Sequence, residues 1–280
     1  MKILITGARG MLAHDLVRVW RDRHELILTD RDELDIADFD AVRAMVSAQR
    51  VEMMVNCAAY NAVDDAETNL EAAFRVNTLG PKNLAIVAAD ANIPLVHFST
   101  DYVFDGSATE PYIEFDAVHP IGVYARSKAA GEDVVRRHCP THYILRLSWL
   151  IGHGGRNFVE TMLRLASEKT TIRVVNDQTG SPTFCADVAR VVDQLIATGH
   201  YGTYHATGQE PCTWYDFANE IFRQTGLSGV KIVPQSTDEA GRPAPRPRYS
   251  YLRNLMLELQ YGSDPMPSWK ASLARYLSER

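Results

Sequence analysis

The first 150 residues alternate short apolar runs with segments of helical period, which restricts the chain to one class of fold. Lys2–Thr6, Leu26–Thr29, Met53–Asn56, Leu95–Ser99 and Tyr143–Leu147 are apolar runs of strand length. Between the first two, Leu12, Leu16, Val19 and Trp20 recur at helical spacing. Phe39–Gln49 reads as a helix, and Leu70–Ala91 as a helical stretch broken at Gly80-Pro81. Tyr124–His138 reads as a helix that follows a long loop, Asp101–Pro120. A helix between consecutive strands returns the chain to the same end of the sheet, so the strands pair in parallel. The expected class is α/β: a doubly wound parallel sheet with helices on both faces.

Beyond residue 150 the pattern is less regular. Phe158–Ser167, Asp187–Ala197, Tyr215–Thr225 and Trp269–Leu277 read as helices, Thr171–Val175 and Thr203–Ala206 as strands. Pro243, Pro245 and Pro247 make a stiff, irregular stretch. No repeat or low-complexity linker separates the halves. The expected division is a first domain over residues 1–150 and a smaller C-terminal α/β lobe over 151–280, with about 171–206 returning to the first domain.

Composition narrows the class of partner. With 280 residues, 46% of them hydrophobic, the chain can bury a sizeable core. A net charge of −6 without a basic cluster argues against nucleic acid. No apolar stretch approaches the roughly 20 residues of a membrane helix, and Met1-Lys2 runs straight into the first strand rather than a secretory leader. The expected setting is the cytoplasm, with no membrane partner. Cys57, Cys139, Cys185 and Cys212 are widely separated, as suits buried thiols in a reducing compartment. No His/Asp/Glu grouping has metal-ligand spacing, so no metal is expected.

Gly7-Ala8-Arg9-Gly10-Met11-Leu12-Ala13 joins the first strand to the first helix. Glycines at such a junction let the backbone turn tightly and let a pyrophosphate approach the helix N-terminus, as in Rossmann-type dinucleotide domains. Gly7, Arg9, Gly10, Met11 and Leu12 are therefore candidate cofactor residues. Asp30 ends the second strand, where a carboxylate accepts bonds from the adenosine ribose of NAD. Arg31 and Arg9 are guanidinium groups that can pair with the 2′-phosphate of NADP. Both NADH and NADPH stay open. Asp35 and Ile36 are placed to flank the adenine. After the third strand, Cys57, Ala58, Ala59 and Tyr60 belong to a run of mostly small residues that leaves room for ribose and phosphate.

Tyr124 and Lys128 lie four residues apart, on one face of a helix. A phenol beside an ammonium is a proton donor whose anion is stabilised, because a nearby cation lowers the phenol pKa. Upstream, Ser99-Thr100-Asp101-Tyr102-Val103-Phe104-Asp105-Gly106 supplies the Thr100 hydroxyl, which can hold a carbonyl against that phenol. Thr100, Tyr124 and Lys128 together suit the delivery of a proton to a ketone under reduction.

These blocks, with the Asn-Cys-Ala-Ala-Tyr-x-x-Val-Asp-x-Ala-Glu run at 56–67, resemble the extended short-chain dehydrogenase/reductases, and within them the dTDP-4-dehydrorhamnose reductase family. The resemblance spans nearly the whole chain. Arg146-Leu147-Ser148-Trp149, Asn157-Phe158, Asn176-Asp177-Gln178-x-Gly180-x-Pro182-Thr183 and Arg246-Pro247-x-x-Ser250-x-Leu252 fit its later blocks. Ala13, Gly122, Ala125 and Asn254 depart from its usual residues.

The resemblance implies reduction of the C4 ketone of dTDP-4-dehydro-L-rhamnose by NADPH or NADH. Tyr124 would be the acid, Lys128 the holder of the nicotinamide ribose, and Thr100 a second donor to the ketone oxygen. It places Ala62, Val63, Asp101, Tyr102, Trp149, Asn157 and Arg246 around the dTDP-sugar. It leaves homodimer formation open, and its inter-subunit cation site does not carry over to these residues. Two rivals remain at this point. One is a reductase or epimerase of another nucleotide sugar; a dehydratase is disfavoured because no Glu follows Asp101. The other is a cofactor-binding regulatory subunit like that of methionine adenosyltransferase, against which Trp149 and the 177–183 block speak.

Overall fold

A computed structural model describes all residues 1–280 and shows twelve strands and twelve helices. The first half runs β1 (Lys2–Thr6), α1 (Met11–Trp20), β2 (Glu25–Thr29), α2 (Phe39–Gln49), β3 (Met53–Asn56), α3 (Val63–Ala66), α4 (Leu70–Phe74), α5 (Gly80–Ala91), β4 (Leu95–Thr100), α6 (Val123–His138) and β5 (His142–Leu147). The second runs β6 (Leu150–Ile151), α7 (Phe158–Glu168), β7 (Thr171–Val175), β8 (Thr179–Gly180), β9 (Thr183–Phe184), α8 (Cys185–Ile196), β10 (Gly202–His205), β11 (Cys212–Thr213), α9 (Trp214–Thr225), β12 (Lys231–Gln235), α10 (Thr237–Ala240), α11 (Leu255–Tyr261) and α12 (Trp269–Ser278). No helix is long and apolar enough to cross a membrane.

Six strands form one parallel sheet in the order β2-β1-β3-β4-β5-β10. The period of two that an apolar run hides reappears in its packing. Ile3 and Ile5 of β1, Met53 and Val55 of β3, and Val96 and Phe98 of β4 pack on one face, against α1 and α8. Leu4, Met54 and Leu95 pack on the other, against residues of α2, α5 and α6. Helix starts are fixed by side-chain caps: Asp38 accepts from Ala41 N at α2, and Thr213 and Asp216 form a reciprocal capping box at α9.

The break expected at Gly80-Pro81 is not there. Residues Arg75–Leu79 form a π turn that joins α4 continuously to α5. Pro81 has no N–H to offer the Asn77 carbonyl four residues back. That carbonyl faces Gly131 of α6 so closely that a Cβ there would come within 2.2 Å of it. The proline thus serves a tight helix crossing rather than a helix end.

The returning segment is narrower than the 171–206 expected. α8 packs against α1, and β10 extends the sheet beside β5. Thr171–Val175 instead pairs with β12 in a separate two-stranded sheet. This small sheet and α7, α9 and α12 enclose a third core around Phe217, Trp269 and Ile221. β12 went unread because Pro234 interrupts its apolar pattern. Strand order reverses between β1 and β3, which opens a crevice above their carboxyl ends, where ligands of open α/β sheets bind.

Candidate active site

The crevice is a trough made of two connected cavities. One, of about 430 Å³, is lined by Gly7, Asp30, Arg31, Asp35, Ile36 and Tyr60. The other, of about 300 Å³, is lined by Met11, Leu12, Thr100, Asp101, Tyr124, Lys128 and Trp149. Gly10, Cys57, Ala58 and Ala59 line both. Fourteen of the fifteen candidate cofactor residues therefore meet in one place.

Local chain geometry explains the trough. Gly7 has a φ of +66°, and a Cβ on it would come within 2.5 Å of Ala58 N, so only glycine lets β1 and the β3 loop approach there. Gly10 precedes α1 without a side-chain cap, leaving the first N–H groups of that helix open to an anion. The β3 loop is held from below. Asn56 Oδ1 accepts from Thr6 Oγ1 at 2.8 Å and from Ala58 N at 3.1 Å, while its Nδ2 donates to His97 Nδ1 at 3.0 Å. Asn77, on the π turn, accepts from Tyr60 N at 2.8 Å and donates to Ser127 Oγ at 3.0 Å, tying the loop to α6.

At the ribose end, Asp30 accepts Arg9 N–H at 3.0 Å and Arg31 N–H at 2.8 Å. The Arg9 guanidinium departs from its expected place. It pairs with Asp32 at 2.8 Å and Glu33 at 2.7 Å, outside the trough, because two adjacent carboxylates outcompete an open site. Arg31 lines the trough, and so does Arg75, which pairs with Asp35 at 2.7 Å. Arg75 was not anticipated; it reaches the trough from the π turn, where no motif marks it.

At the reacting end, Lys128 is buried and its Nζ donates to Phe98 O at 2.6 Å. Burial pushes its ammonium down to about 8, with Glu132 one turn on opposing this. Burial pushes the Tyr124 phenol up to about 12; the Thr100 hydroxyl beside it lowers it and Asp101 raises it. The expected depression of the phenol by Lys128 is not found, because the ammonium is turned to a backbone carbonyl. Tyr102 stands edge-on to Tyr124, ring centres 6.1 Å apart at 82°.

Beneath Lys128 lies a buried ion pair that the sequence did not mark. Glu132, fully buried, accepts from Arg146 Nε at 3.0 Å and Nη2 at 2.8 Å, from Ser99 Oγ at 2.5 Å and from Arg136 at 3.0 Å. Burial pushes its carboxyl up, but these partners, Arg146 above all, outweigh that and hold it at about 2.

Substrate candidates divide. Thr100, Asp101 and Trp149 line the trough, whereas Tyr102 and Arg246 line a neighbouring cavity of about 480 Å³ in the lobe. That cavity also takes Phe158, Arg173, Trp214 and Arg242, none of them anticipated as site residues. Trp149, with a φ of +43°, stacks on Trp214 at 3.7 Å and 10°, so the two indoles form the wall between trough and lobe cavity. Arg246 holds Asp64 at 2.9 and 3.0 Å and keeps its carboxyl below the usual range. Three expectations are corrected. Asn157 caps α7 by accepting from Glu160 N and donates to Gly152 O at 2.8 Å, so its polar atoms are used by the fold. Ala62 and Val63 stand at the start of α3 and line neither cavity; the adjacent Asp64 reaches Arg246 in their stead.

Comparisons with known proteins agree with this fold. The family described as RmlD substrate binding domain matches residues 1–280. The dTDP-4-dehydrorhamnose reductase of Aggregatibacter actinomycetemcomitans is 40% identical over 286 residues, covering 97% of each chain. A crystal structure of a dTDP-4-dehydrorhamnose reductase from Clostridium acetobutylicum is 46% identical with a TM-score of 0.96 over 99% of each chain. One from Bacillus anthracis, in complex with NADP, is 40% identical with a TM-score of 0.97, covering 100% of this chain and 99% of that one. The chain belongs to the RmlD family.

Proposed function

We propose that this member of the family reduces the C4 ketone of dTDP-4-dehydro-L-rhamnose to give dTDP-L-rhamnose, with NADPH or NADH as reductant. The observation that carries the reading is the convergence of Thr100, Tyr124 and Lys128 at the end of a glycine-turned trough that lies beside an arginine-lined cavity. The named relatives at about 40% identity support the substrate and the NADP complex supports the cofactor.

The trough suits a dinucleotide. Its α1 terminus offers uncapped N–H groups to a pyrophosphate, Asp30 faces the adenosine ribose, and Arg31 and Arg75 lie where a 2′-phosphate would sit. A bound nicotinamide supplies the hydride that the ketone carbon accepts. The remaining work falls to side chains. Tyr124 gives its proton to the ketone oxygen as that becomes an alkoxide, and Thr100 fixes the oxygen by a second hydrogen bond. Lys128, held at Phe98 O, presents its remaining N–H groups to the cofactor ribose.

The division of labour follows the sheet unit and the lobe. The sheet unit holds the cofactor. The lobe cavity holds the nucleotide, with Arg173, Arg242 and Arg246 facing the diphosphate and Trp214 and Phe158 the base. The test is loss of reduced-cofactor absorbance when the protein meets dTDP-4-dehydro-L-rhamnose, alongside a panel of other nucleotide keto-sugars. Turnover of that sugar is expected. Cofactor binding without turnover of any sugar would favour a regulatory role.

A further inference from the structure

The Asp101 carboxyl sits behind the catalytic hydroxyls in an arrangement the reaction has not yet used. It is 2% exposed, and hydroxyls hold both its oxygens. Ser250 Oγ donates to Oδ2 at 2.6 Å, and Thr100 Oγ1 donates to Oδ1 at 3.0 Å. Thr100 Oγ1 also accepts Tyr102 N–H at 3.2 Å and lies beside the Tyr124 phenol.

A hydroxyl has one hydrogen to give and two lone pairs to receive. With Asp101 ionised, the Thr100 hydrogen is committed to the carboxylate. One Thr100 lone pair takes Tyr102 N–H. The Thr100 hydrogen is then not directed at a ketone. With a proton on Asp101 Oδ1, the bond reverses. Asp101 donates to Thr100, both Thr100 lone pairs are filled, and the Thr100 hydrogen is released. That hydrogen is then free to turn into the cleft.

We propose that Asp101 is a positioning residue that sets the donor direction of Thr100, and that reduction proceeds from the form in which Asp101 is protonated. The inference rests on the reading of Thr100 and Tyr124 as the pair that holds the ketone oxygen. Burial supports it by pushing the Asp101 carboxyl up to about 7, against the opposing bonds from Ser250 and Thr100, so both forms are populated near neutrality. The titratable groups facing it are Tyr124 of α6 and Tyr102 of its own turn, both raised by burial and neutral in this range. Arg246 approaches through Tyr102 and is committed to Asp64. Lys128 is the other group of the cleft that titrates nearby, at about 8.

The experiment follows single-turnover oxidation of NADPH by dTDP-4-dehydro-L-rhamnose between about pH 5 and 9, which removes product release from the rate. Wild-type protein should lose rate about tenfold per pH unit above a limb near 7, more steeply once Lys128 also loses its proton. Asp101→Asn presents a permanent amide donor to Thr100 while its oxygen accepts from Ser250. It should lose the limb near 7 and outrun wild type by about tenfold around pH 8. Ser250→Ala removes a donor that favours the ionised form, and should move the limb up by about one unit. An Asn variant that keeps the wild-type limb, or that binds NADPH normally yet never outruns wild type, overturns the proposal. If the Asn variant does not fold, an unmoved limb in Ser250→Ala overturns it alone. Failure of the reductase reading itself looks different: wild-type protein then shows no turnover at any pH.

Discussion

The trough over β1 and β3 is walled largely by contiguous runs at the carboxyl edge of the sheet: Gly10–Leu12, Cys57–Asn61, Phe98–Asp101 and Leu147–Leu150. The lobe cavity is walled by large side chains drawn from widely separated stretches, among them Phe158, Arg173, Trp214, Arg242 and Arg246. The trough takes its shape from a buried parallel sheet and two cores on either face. The lobe cavity takes its shape from stacked aromatics and from guanidinium groups already paired with carboxylates, such as Arg246 with Asp64 and Arg173 with Glu239. Rigid backbone suits a cofactor common to many enzymes, and adaptable side chains suit one particular sugar nucleotide.

That contrast breaks hardest at Glu132. Replacing it by Ala leaves Arg146 buried with only His205, at 3.3 Å, as a hydrogen-bond partner, and should cost about 3–5 kcal/mol in urea unfolding. The sign with pH follows from a carboxyl held at about 2 in the folded protein, below its ordinary value of 4.5. Its contribution is fully present above about pH 4.5 and is lost as the pH falls toward 2. A fall in unfolding free energy of wild type over that window, steeper than in the Ala variant, would place the stability of the sheet unit in this pair. An Ala variant as stable as wild type would remove the contrast in rigidity.

Arg246→Ala sharpens the contrast from the other side. It removes a half-buried guanidinium from the lobe cavity and leaves the trough intact. The KM for the sugar nucleotide should rise about tenfold, with the Kd for NADPH unchanged in a fluorescence titration. A loss of NADPH affinity of the same size would show that the two cavities do not divide the ligands as proposed.

The same contrast explains what the sequence made legible. Apolar runs and helical spacing located nearly every element of the sheet unit, because a doubly wound sheet is built from neighbours in sequence. Phe39–Gln49 and Met53–Asn56 match their structural bounds. The glycine turn, Thr100, Tyr124 and Lys128 were readable because turn chemistry and one helical turn are local facts. Asn157 was misread because its value to the fold, an N-cap, looks like any exposed polar residue in sequence. The roles of Arg75, Trp214, Arg242 and Ser250, and the partnership of Glu132 with Arg146, were invisible because they arise only when distant segments meet. Even the phenol's ionisation was misjudged, since the spacing of Tyr124 and Lys128 does not reveal that Lys128 turns to Phe98 O.

The central claim is that the Tyr124 phenol protonates a ketone oxygen in the trough. Its most direct test is Tyr124→Phe, assayed by single-turnover NADPH oxidation with dTDP-4-dehydro-L-rhamnose and by NADPH titration on the same preparation. The account predicts a loss of rate of about 10²–10⁴-fold with cofactor affinity unchanged. A Phe variant that reduces the sugar at the wild-type rate would contradict it.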